Sequence, residues 1–278
     1  MPNHNKTKIV ATLGPATDTK EILTELASNG VNVFRINFSH ADYEDVKRKV
    51  KIIREINKEN GYNVAILADL QGPKLRVGVM EDDVILEDGD TFTFTTVKCI
   101  GTKEKAFMTY QRFPKDVKVG EAIMVDDGKL RFEVISTNKE NEVVVKVIVG
   151  GPLRSKKGVN LPNTAISLPA LTKKDMEDAV FAIGLDVDWF ALSFVRTPED
   201  LRMLRDLIAQ HSDYRIPIIA KIEKPEAVAN IDALIPYCDG LMVARGDLGV
   251  EIPMQDVPLI QKKLVRRAKR ARIPVIIA

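Results

Sequence analysis

The chain has 278 residues, enough to bury one large α/β core or two smaller ones. Its 41 lysines and arginines are nearly balanced by 39 aspartates and glutamates, so net charge favours neither nucleic acid nor a membrane as a partner. The two cysteines are too few for a disulfide framework, and no apolar run approaches membrane-spanning length. Because the N-terminus has no hydrophobic signal segment, we expect a soluble protein of the cytoplasm.

The N-terminal part repeats one unit: an apolar strand, a short turn and an amphipathic helix. Strands are predicted at 8–14, 31–39 and 64–70. Asp18 and Glu21 predict the start of the first helix, and Gly30 predicts its end.

Alternation in the second strand separates its polar side chains from its apolar ones. The polar face carries Arg35, Asn37 and Ser39. A helix is predicted at 42–58, with one buried stripe formed by Val46, Val50, Ile53 and Ile56. The third strand is expected to bring Asp69 to its carboxyl end.

After Gly72 and Pro73 the helical pattern disappears, and short alternating segments replace it. Asp88-Gly89 and Asp127-Gly128 each predict a hairpin turn. We therefore expect a small β domain at 72–164, inserted into a larger domain made of residues 1–71 and 165–278.

The alternation of predicted strands and helices then resumes. Thr172 and Asp175 predict the start of a helix, and residues 197–200 predict the start of another. The further predicted strands are 189–194, 216–223, 240–246 and 273–277. Strands separated by helices favour a parallel sheet.

Polar residues at the ends of several strands favour a (β/α)8 barrel, because an open doubly wound sheet concentrates its site at one crevice. The open sheet is the alternative. Seven strands leave a closed barrel one short, so we expect a TIM-type barrel truncated before its eighth strand. The first and seventh strands would then be unpaired edges that favour self-association.

The stretch I-P-I-I-A-K-I-E-K-P-E at 216–226 predicts a strand buried on both faces. Lys221 and Glu223 lie two residues apart and share one side of it. The following strand ends in A-R-G-D-L-G, which brings Asp247 to the same end of the sheet. Buried charges need partners, so these residues predict a phosphate clamp and a divalent-metal site. A purely structural ion pair is the alternative for Lys221 and Glu223.

Five motifs occur in a characteristic order from near the N-terminus to the last residues. They are R-I-N-F-S-H (35–40), D-L-Q-G-P-K-L-R (69–76), S-K-K-G-V-N-L-P (155–162), A-K-I-E (220–223) and M-V-A-R-G-D-L-G (242–249). Together they resemble the pyruvate kinase family. The resemblance implies a barrel interrupted by a β-rich lid, an eighth strand and a C-terminal domain beyond this chain, and a homo-oligomer, commonly a tetramer.

The resemblance also implies a glycolytic reaction, transfer of the phosphoryl group of phosphoenolpyruvate to ADP with Mg²⁺. Glu223 and Asp247 would hold the Mg²⁺, with substrate oxygens and water as further ligands. Lys221 would stabilise the transition state and Arg35 would bind the substrate phosphate, while Gly246 and Asp247 would meet the substrate carboxylate.

The nucleotide side of the site is implied in the same way. The matching residues are Asn37, His40, Arg76 and Lys156. Arg76, also expected to be catalytic, and Lys156 come from the junction with the lid and from its return strand. The lid would therefore close over ADP and exclude water.

One motif departs from many of its relatives, which read D-T-K-G-P-E-I-R where this chain has Lys74 instead of the glutamate. In those enzymes a potassium ion occupies positions that match Asn37, Ser39, Asp69 and the backbone of Leu70. The lysine version resembles potassium-independent members, in which the ammonium could pair with Asp69 and replace the ion. We expect no requirement for a monovalent cation.

Two other functions remain open at this point: a Mg²⁺-dependent barrel lyase acting on a pyruvate unit, and a non-catalytic truncated remnant. The lid disfavours the lyase, because a lyase has no nucleotide to cover. By the same resemblance, the family's threonine that handles the enolate proton would lie beyond Ala278.

Overall fold

The computed structural model describes residues 6–278, apart from the side chain of His40, and shows an α/β fold. Its strands are β1 (Ile9–Thr12), β2 (Val31–Asn37), β3 (Ala65–Leu70), β4 (Ile85–Leu86), β5 (Thr91–Thr95), β6 (Lys105–Phe107), β7 (Ala122–Val125), β8 (Leu130–Thr137), β9 (Glu142–Val149), β10 (Gly151–Pro152), β11 (Val159–Asn160), β12 (Trp189–Leu192), β13 (Ile218–Ile222), β14 (Gly240–Val243) and β15 (Val275–Ile277). Its α-helices are α1 (Lys20–Ser28), α2 (Tyr43–Asn60), α3 (Phe113–Asp116), α4 (Lys173–Ile183), α5 (Pro198–His211), α6 (Pro225–Ala229), α7 (Ile231–Leu234), α8 (Arg245–Glu251) and α9 (Val257–Ala271). None of the helices within residues 6–278 is long and apolar enough to cross a membrane.

The larger sheet has seven parallel strands in the order β1-β2-β3-β12-β13-β14-β15. This order follows the chain without a reversal, which rules out the doubly wound alternative. The sheet curls, and its inner face has its own buried cluster of Leu67, Ala191, Ile219 and Met242. The prediction of an α/β fold with a barrel-type parallel sheet is confirmed.

Helices cover the outer face of this sheet and form the largest core. In α2 the predicted stripe of Val46, Val50, Ile53 and Ile56 is buried. The capping box at Thr172 and Asp175 is also present and starts α4. Hydrophobic spacing along the chain therefore identified which helix faces pack on the sheet.

A separate sheet in the order β11-β7-β8-β9-β5-β6 follows β3 in the chain. It encloses a second core, which shares no residue with the first and is centred on Phe92, Phe94, Phe113 and Phe132. We call this part the lid. The exact division at 1–71, 72–164 and 165–278 stays a prediction.

Two local predictions were wrong. The first helix is capped by Thr19, whose hydroxyl accepts a hydrogen bond from the N–H of Ile22, while the carboxylate of Asp18 pairs with Arg48. Asp88-Gly89 does not close a hairpin, because the strand before it pairs with β10 and the strand after it pairs with β9. Turn residues alone cannot specify which strands pair, since pairing depends on the rest of the sheet.

Several strands end earlier than predicted, and this changes which residues lie in the turns after them. Strand β2 ends at Asn37, so Ser39 lies in a single 3-10 turn instead of continuing the alternation. Strands β13 and β14 end at Ile222 and Val243, so the polar residues that follow lie at the carboxyl edge of the sheet.

Candidate active site

Parallel strands bring their carboxyl ends to one edge of the sheet, and charged side chains meet there. Asp69, near the end of β3, is 1% exposed and lies at the centre of the group. Its carboxylate contacts the guanidinium of Arg35 (Nε to Oδ2, 2.5 Å) and the ammonium of Lys221 (Nζ to Oδ1, 3.2 Å). Arg35 also donates to the hydroxyl of Thr12 at the end of β1 (2.8 Å). The partners of Asp69 therefore come from β2 and β13, and β1 orients one of them.

The ammonium of Lys221 is surrounded by three oxygens. It donates to Asp69 Oδ1 at 3.2 Å and to Ser193 Oγ at 2.7 Å, and it lies 3.0 Å from Glu223 Oε1. Burial by itself would lower the pKa of Lys221, but the carboxylates of Glu223 and Asp69 outweigh it and the pKa is raised. Lys221 is thus a fixed cation at the strand ends.

Glu223 is almost completely buried, and both carboxylate oxygens have partners. One contacts Lys221, and the other accepts the backbone N–H of Phe194 at 2.8 Å. Phe194 has a φ of 55°, a left-handed conformation that is uncommon for a bulky side chain. Burial raises the pKa of Glu223, the ammonium of Lys221 opposes this, and the nearby carboxylate of Asp247 adds to the rise.

Glu223 and Asp247 together fit a divalent cation. Asp247 is exposed in the first turn of α8, and its carboxylate forms none of the ion pairs found within residues 6–278. The carboxylate of Asp247 is close enough to Glu223 to disfavour the charge of Glu223, which a cation would relieve. Across the described residues, no cluster of three or more His, Cys, Asp or Glu side chains could hold a metal ion. Mg²⁺ commonly uses only one or two carboxylates, so the pair is sufficient.

The predicted nucleotide residues Arg76 and Lys156 meet at the base of the lid. The guanidinium of Arg76 donates to the backbone carbonyl of Lys156 at 2.9 Å. Lys156 is exposed, with a φ of 60°, so its ammonium extends from a tight turn. The side chain of His40 lies outside the described part of the chain. Asn37 is exposed and is the register partner of Asp69 across β2 and β3.

Three of the four groups proposed for a monovalent cation, those of Asn37, Asp69 and Leu70, already have protein donors. Asn37 Oδ1 accepts the N–H of Ser39 at 3.0 Å, and the carbonyl of Leu70 accepts the hydroxyl of Ser193 at 2.7 Å. Asp69 carries Arg35 and Lys221, as described above. The pocket therefore has its negative charge balanced by the chain itself.

Lys74 does not form the ion pair with Asp69 that was considered from the sequence. Its side chain lines a cleft between the strand ends and the lid. Other residues of this cleft are Asp127, Asn160, Arg196, Asp247 and Glu251. Burial and then the charge of Arg76 lower the pKa of Lys74. Whether the protein needs potassium stays a prediction.

Three residues of this site were missed from the sequence: Thr12, Ser193 and Phe194. Ser193 and Phe194 directly follow β12, at the same edge as Asp69 and Lys221. A polar residue directly after a buried strand is a signal that the sequence offers. It identified site residues at the ends of the neighbouring strands, but it was not applied to the end of β12.

Comparison with known proteins agrees with this geometry. A model of the pyruvate kinase barrel domain matches residues 4–278. The chain belongs to the pyruvate kinase family. It is 46% identical to pyruvate kinase 2 of Synechocystis sp. over the whole chain and 47% of that protein. It is also 46% identical to the pyruvate kinase of Geobacillus stearothermophilus (98% of this chain, 47% of that protein) and 43% identical to that of Corynebacterium glutamicum (98% and 57%).

The chain thus spans about half the length of the pyruvate kinases it matches. The match includes both the curled parallel sheet and the lid, because it continues from residue 4 to residue 278. The strand ends described above therefore belong to the part that this chain shares with the family.

Proposed function

We propose that this chain carries the phosphoryl-transfer site of a pyruvate kinase, which moves the phosphoryl group of phosphoenolpyruvate to ADP and gives pyruvate and ATP in glycolysis. The observation that carries the proposal is the group of Arg35, Lys221, Glu223 and Asp247 at one edge of the sheet. Phosphoryl transfer requires charge neutralisation and placement more than covalent chemistry, and this edge offers both.

Arg35 and Lys221 are the residues proposed to bind and stabilise the phosphoryl group. Both are held by Asp69, so their positions are fixed before a ligand arrives. The planar guanidinium of Arg35 suits two phosphate oxygens, whereas the ammonium of Lys221 acts as a compact charge. A preformed cation needs little reorganisation when negative charge shifts during transfer, which favours the transition state.

Glu223 and Asp247 would hold Mg²⁺. The ion would neutralise phosphoryl and carboxylate oxygens of the substrate when bound. Gly246 lies next to Asp247 in the first turn of α8, where the backbone without a side chain leaves room for the substrate carboxylate.

Arg76, Lys156, Asn37 and His40 are the residues proposed for ADP. The guanidinium of Arg76 donates a hydrogen bond to the backbone of the turn that carries Lys156, so the two cations would act on the nucleotide together. Their place at the base of the lid would also let the lid limit water at the transferred group. A lyase has no use for cations in this position, which is why we favour the kinase.

The test is pyruvate formation by the full natural protein from phosphoenolpyruvate and ADP, followed with a lactate dehydrogenase couple. We expect Mg²⁺-dependent activity, which Asp247→Ala abolishes. Asp206→Ala, an exposed carboxylate on α5, is the matched control and should retain activity. A wild type without pyruvate formation would favour a non-catalytic remnant, and near-normal turnover of Asp247→Ala would disprove the metal assignment.

A further inference from the structure

Ser193 has a buried hydroxyl that lies between the backbone of Leu70 and the ammonium of Lys221. It directly follows β12 and is 2% exposed. Its Oγ lies 2.7 Å from the carbonyl oxygen of Leu70 and 2.7 Å from the ammonium of Lys221. Neither the sequence motifs nor the proposed reaction assigns it a role.

The chemistry of its two neighbours fixes the direction of both hydrogen bonds. The carbonyl of Leu70 can only accept, so the hydroxyl must donate its one hydrogen there. The ammonium of Lys221 can only donate, so it must use a lone pair of Ser193 Oγ. Leu70 is itself held by pairing of β3 with β12, which leaves the hydroxyl one orientation.

The three residues whose oxygens surround Lys221 differ in their other partners. Glu223 is the residue that would turn towards a divalent cation, and its charge would then be shared. Asp69 also pairs with Arg35. The contact with Ser193 is the shortest of the three and depends on neither a metal nor a second cation.

We propose that Ser193 is the positioning residue of Lys221: it holds the ammonium at the strand ends when Glu223 engages the metal. The inference rests on the proposed function, because the contact of Lys221 with the phosphoryl group belongs to that proposal. Ser193 does not touch the substrate. It acts by keeping the lysine where negative charge develops, and so it should affect turnover more than substrate affinity.

The kinetic test uses Ser193→Ala and Ser193→Cys in the full natural protein. Both variants lose the hydrogen bond from the ammonium of Lys221. The loss of a hydrogen bond to a charged group should lower kcat about ten- to a hundredfold, with little change in KM for phosphoenolpyruvate. Cysteine has nearly the size of serine but is a weak acceptor, so it should behave like alanine if the hydrogen bond matters and like serine if only volume matters. It also decides the question if the alanine variant does not fold. Thr95→Ala, equally buried but in the lid, is the control and should retain wild-type kcat.

A second readout does not depend on turnover. With lysine labelled at ¹⁵Nζ, the buried ammonium of Lys221 should give a slowly exchanging NMR signal, assigned by its loss in Lys221→Met. We expect this signal to broaden or disappear in both Ser193 variants and to persist in Thr95→Ala. A wild-type protein that forms no pyruvate but shows this pattern would disprove the proposed function alone. Unchanged kcat and an unchanged signal, or a rise in KM with kcat intact, would overturn the role of Ser193.

Discussion

At the scale of single residues, the site is a balanced group of charges, all buried except the partly exposed Arg35. Two cations, Arg35 and Lys221, face two carboxylates, Asp69 and Glu223, and the three ion pairs Arg35–Asp69, Lys221–Asp69 and Lys221–Glu223 are each within 3.2 Å. Isolated charges would be costly to bury, so each is retained only because the others are present. The exposed carboxylate of Asp247 lies beside this group without an ion pair among residues 6–278, which leaves it available to a ligand.

Replacing Lys221 by methionine should lower turnover much more than substrate affinity. A fixed cation that acts on the transition state resembles an oxyanion-hole donor, whose loss costs about 10²–10³ in kcat. Steady-state kinetics of the full natural protein measure both quantities. Far-UV circular dichroism must show a folded variant, because Asp69 and Glu223 lose a partner. Lys47→Met, an exposed lysine on α2, is the control. A main effect on KM would make Lys221 a binding residue only.

Activity should not require potassium. The oxygens of Asn37, Asp69 and Leu70 already have protein donors, so the pocket has no unbalanced negative charge for a monovalent cation to neutralise. The assay is turnover of the full natural protein in buffers free of potassium and ammonium. Lys74→Glu adds a negative charge to the cleft and should create a dependence on potassium. A wild type that stays silent until potassium is added would refute this.

At the scale of elements, a buried ion pair of the larger domain also holds the lid through a hydrogen bond. Lys224, just before α6, contacts Glu251 at the end of α8 (2.7 Å), and both side chains are at most 5% exposed. Asn160 of β11 donates to the same Glu251 oxygen at 2.8 Å. Three elements distant in the chain therefore meet at one carboxylate.

Removing one partner of this pair should destabilise the protein strongly. Glu251→Gln leaves the buried ammonium of Lys224 without a counter-charge, which costs about 3–5 kcal/mol in the free energy of unfolding. The double variant Lys224→Met with Glu251→Leu should recover most of that loss, because no buried charge remains. Urea denaturation measures both. Glu44→Gln breaks an exposed pair with Lys47 and should cost at most about 1 kcal/mol. Equal effects of Glu251→Gln and Glu44→Gln would contradict the burial argument.

At the scale of the whole molecule, two cores are built from different parts of the chain. Leu75 already belongs to the lid core and Ala170 to the core of the larger sheet, close to the predicted boundaries at 71/72 and 164/165. Since the cores share no residue, each can lose its packing while the other persists.

We therefore expect the lid to unfold separately from the larger sheet. Phe94→Ala removes a fully buried ring from the lid core and should lower protection from hydrogen exchange in the lid alone, with a loss of about 3–5 kcal/mol there. Ile66→Ala in β3 is the reciprocal variant and should act on the larger sheet. Hydrogen exchange followed by mass spectrometry separates the two regions. Equal loss of protection in both regions for either variant would show a single cooperative unit.

The sequence by itself determined the fold class and the residues that carry charge. Hydrophobic spacing is local, so the stripe of α2, the parallel strands and the positions of Lys221, Glu223 and Asp69 at strand ends followed from neighbouring residues alone. The same local information gave the wrong cap at Asp18 and the wrong hairpin at Asp88-Gly89, because several donors and strands compete for those partners.

Only the tertiary structure decided which charges meet. Lys221 and Asp69 are 152 residues apart, and Ser193 lies 123 residues from Leu70. Their contacts depend on the register of β3, β12 and β13, which pairs Ala191 with Asp69. Register is set by the packing of the whole sheet, not by the residues that it brings together. That is why the contact of Ser193 with Lys221 did not follow from the sequence, and why the sequence left Asp69 open as a partner of Lys74 although Arg35 and Lys221 already pair with it.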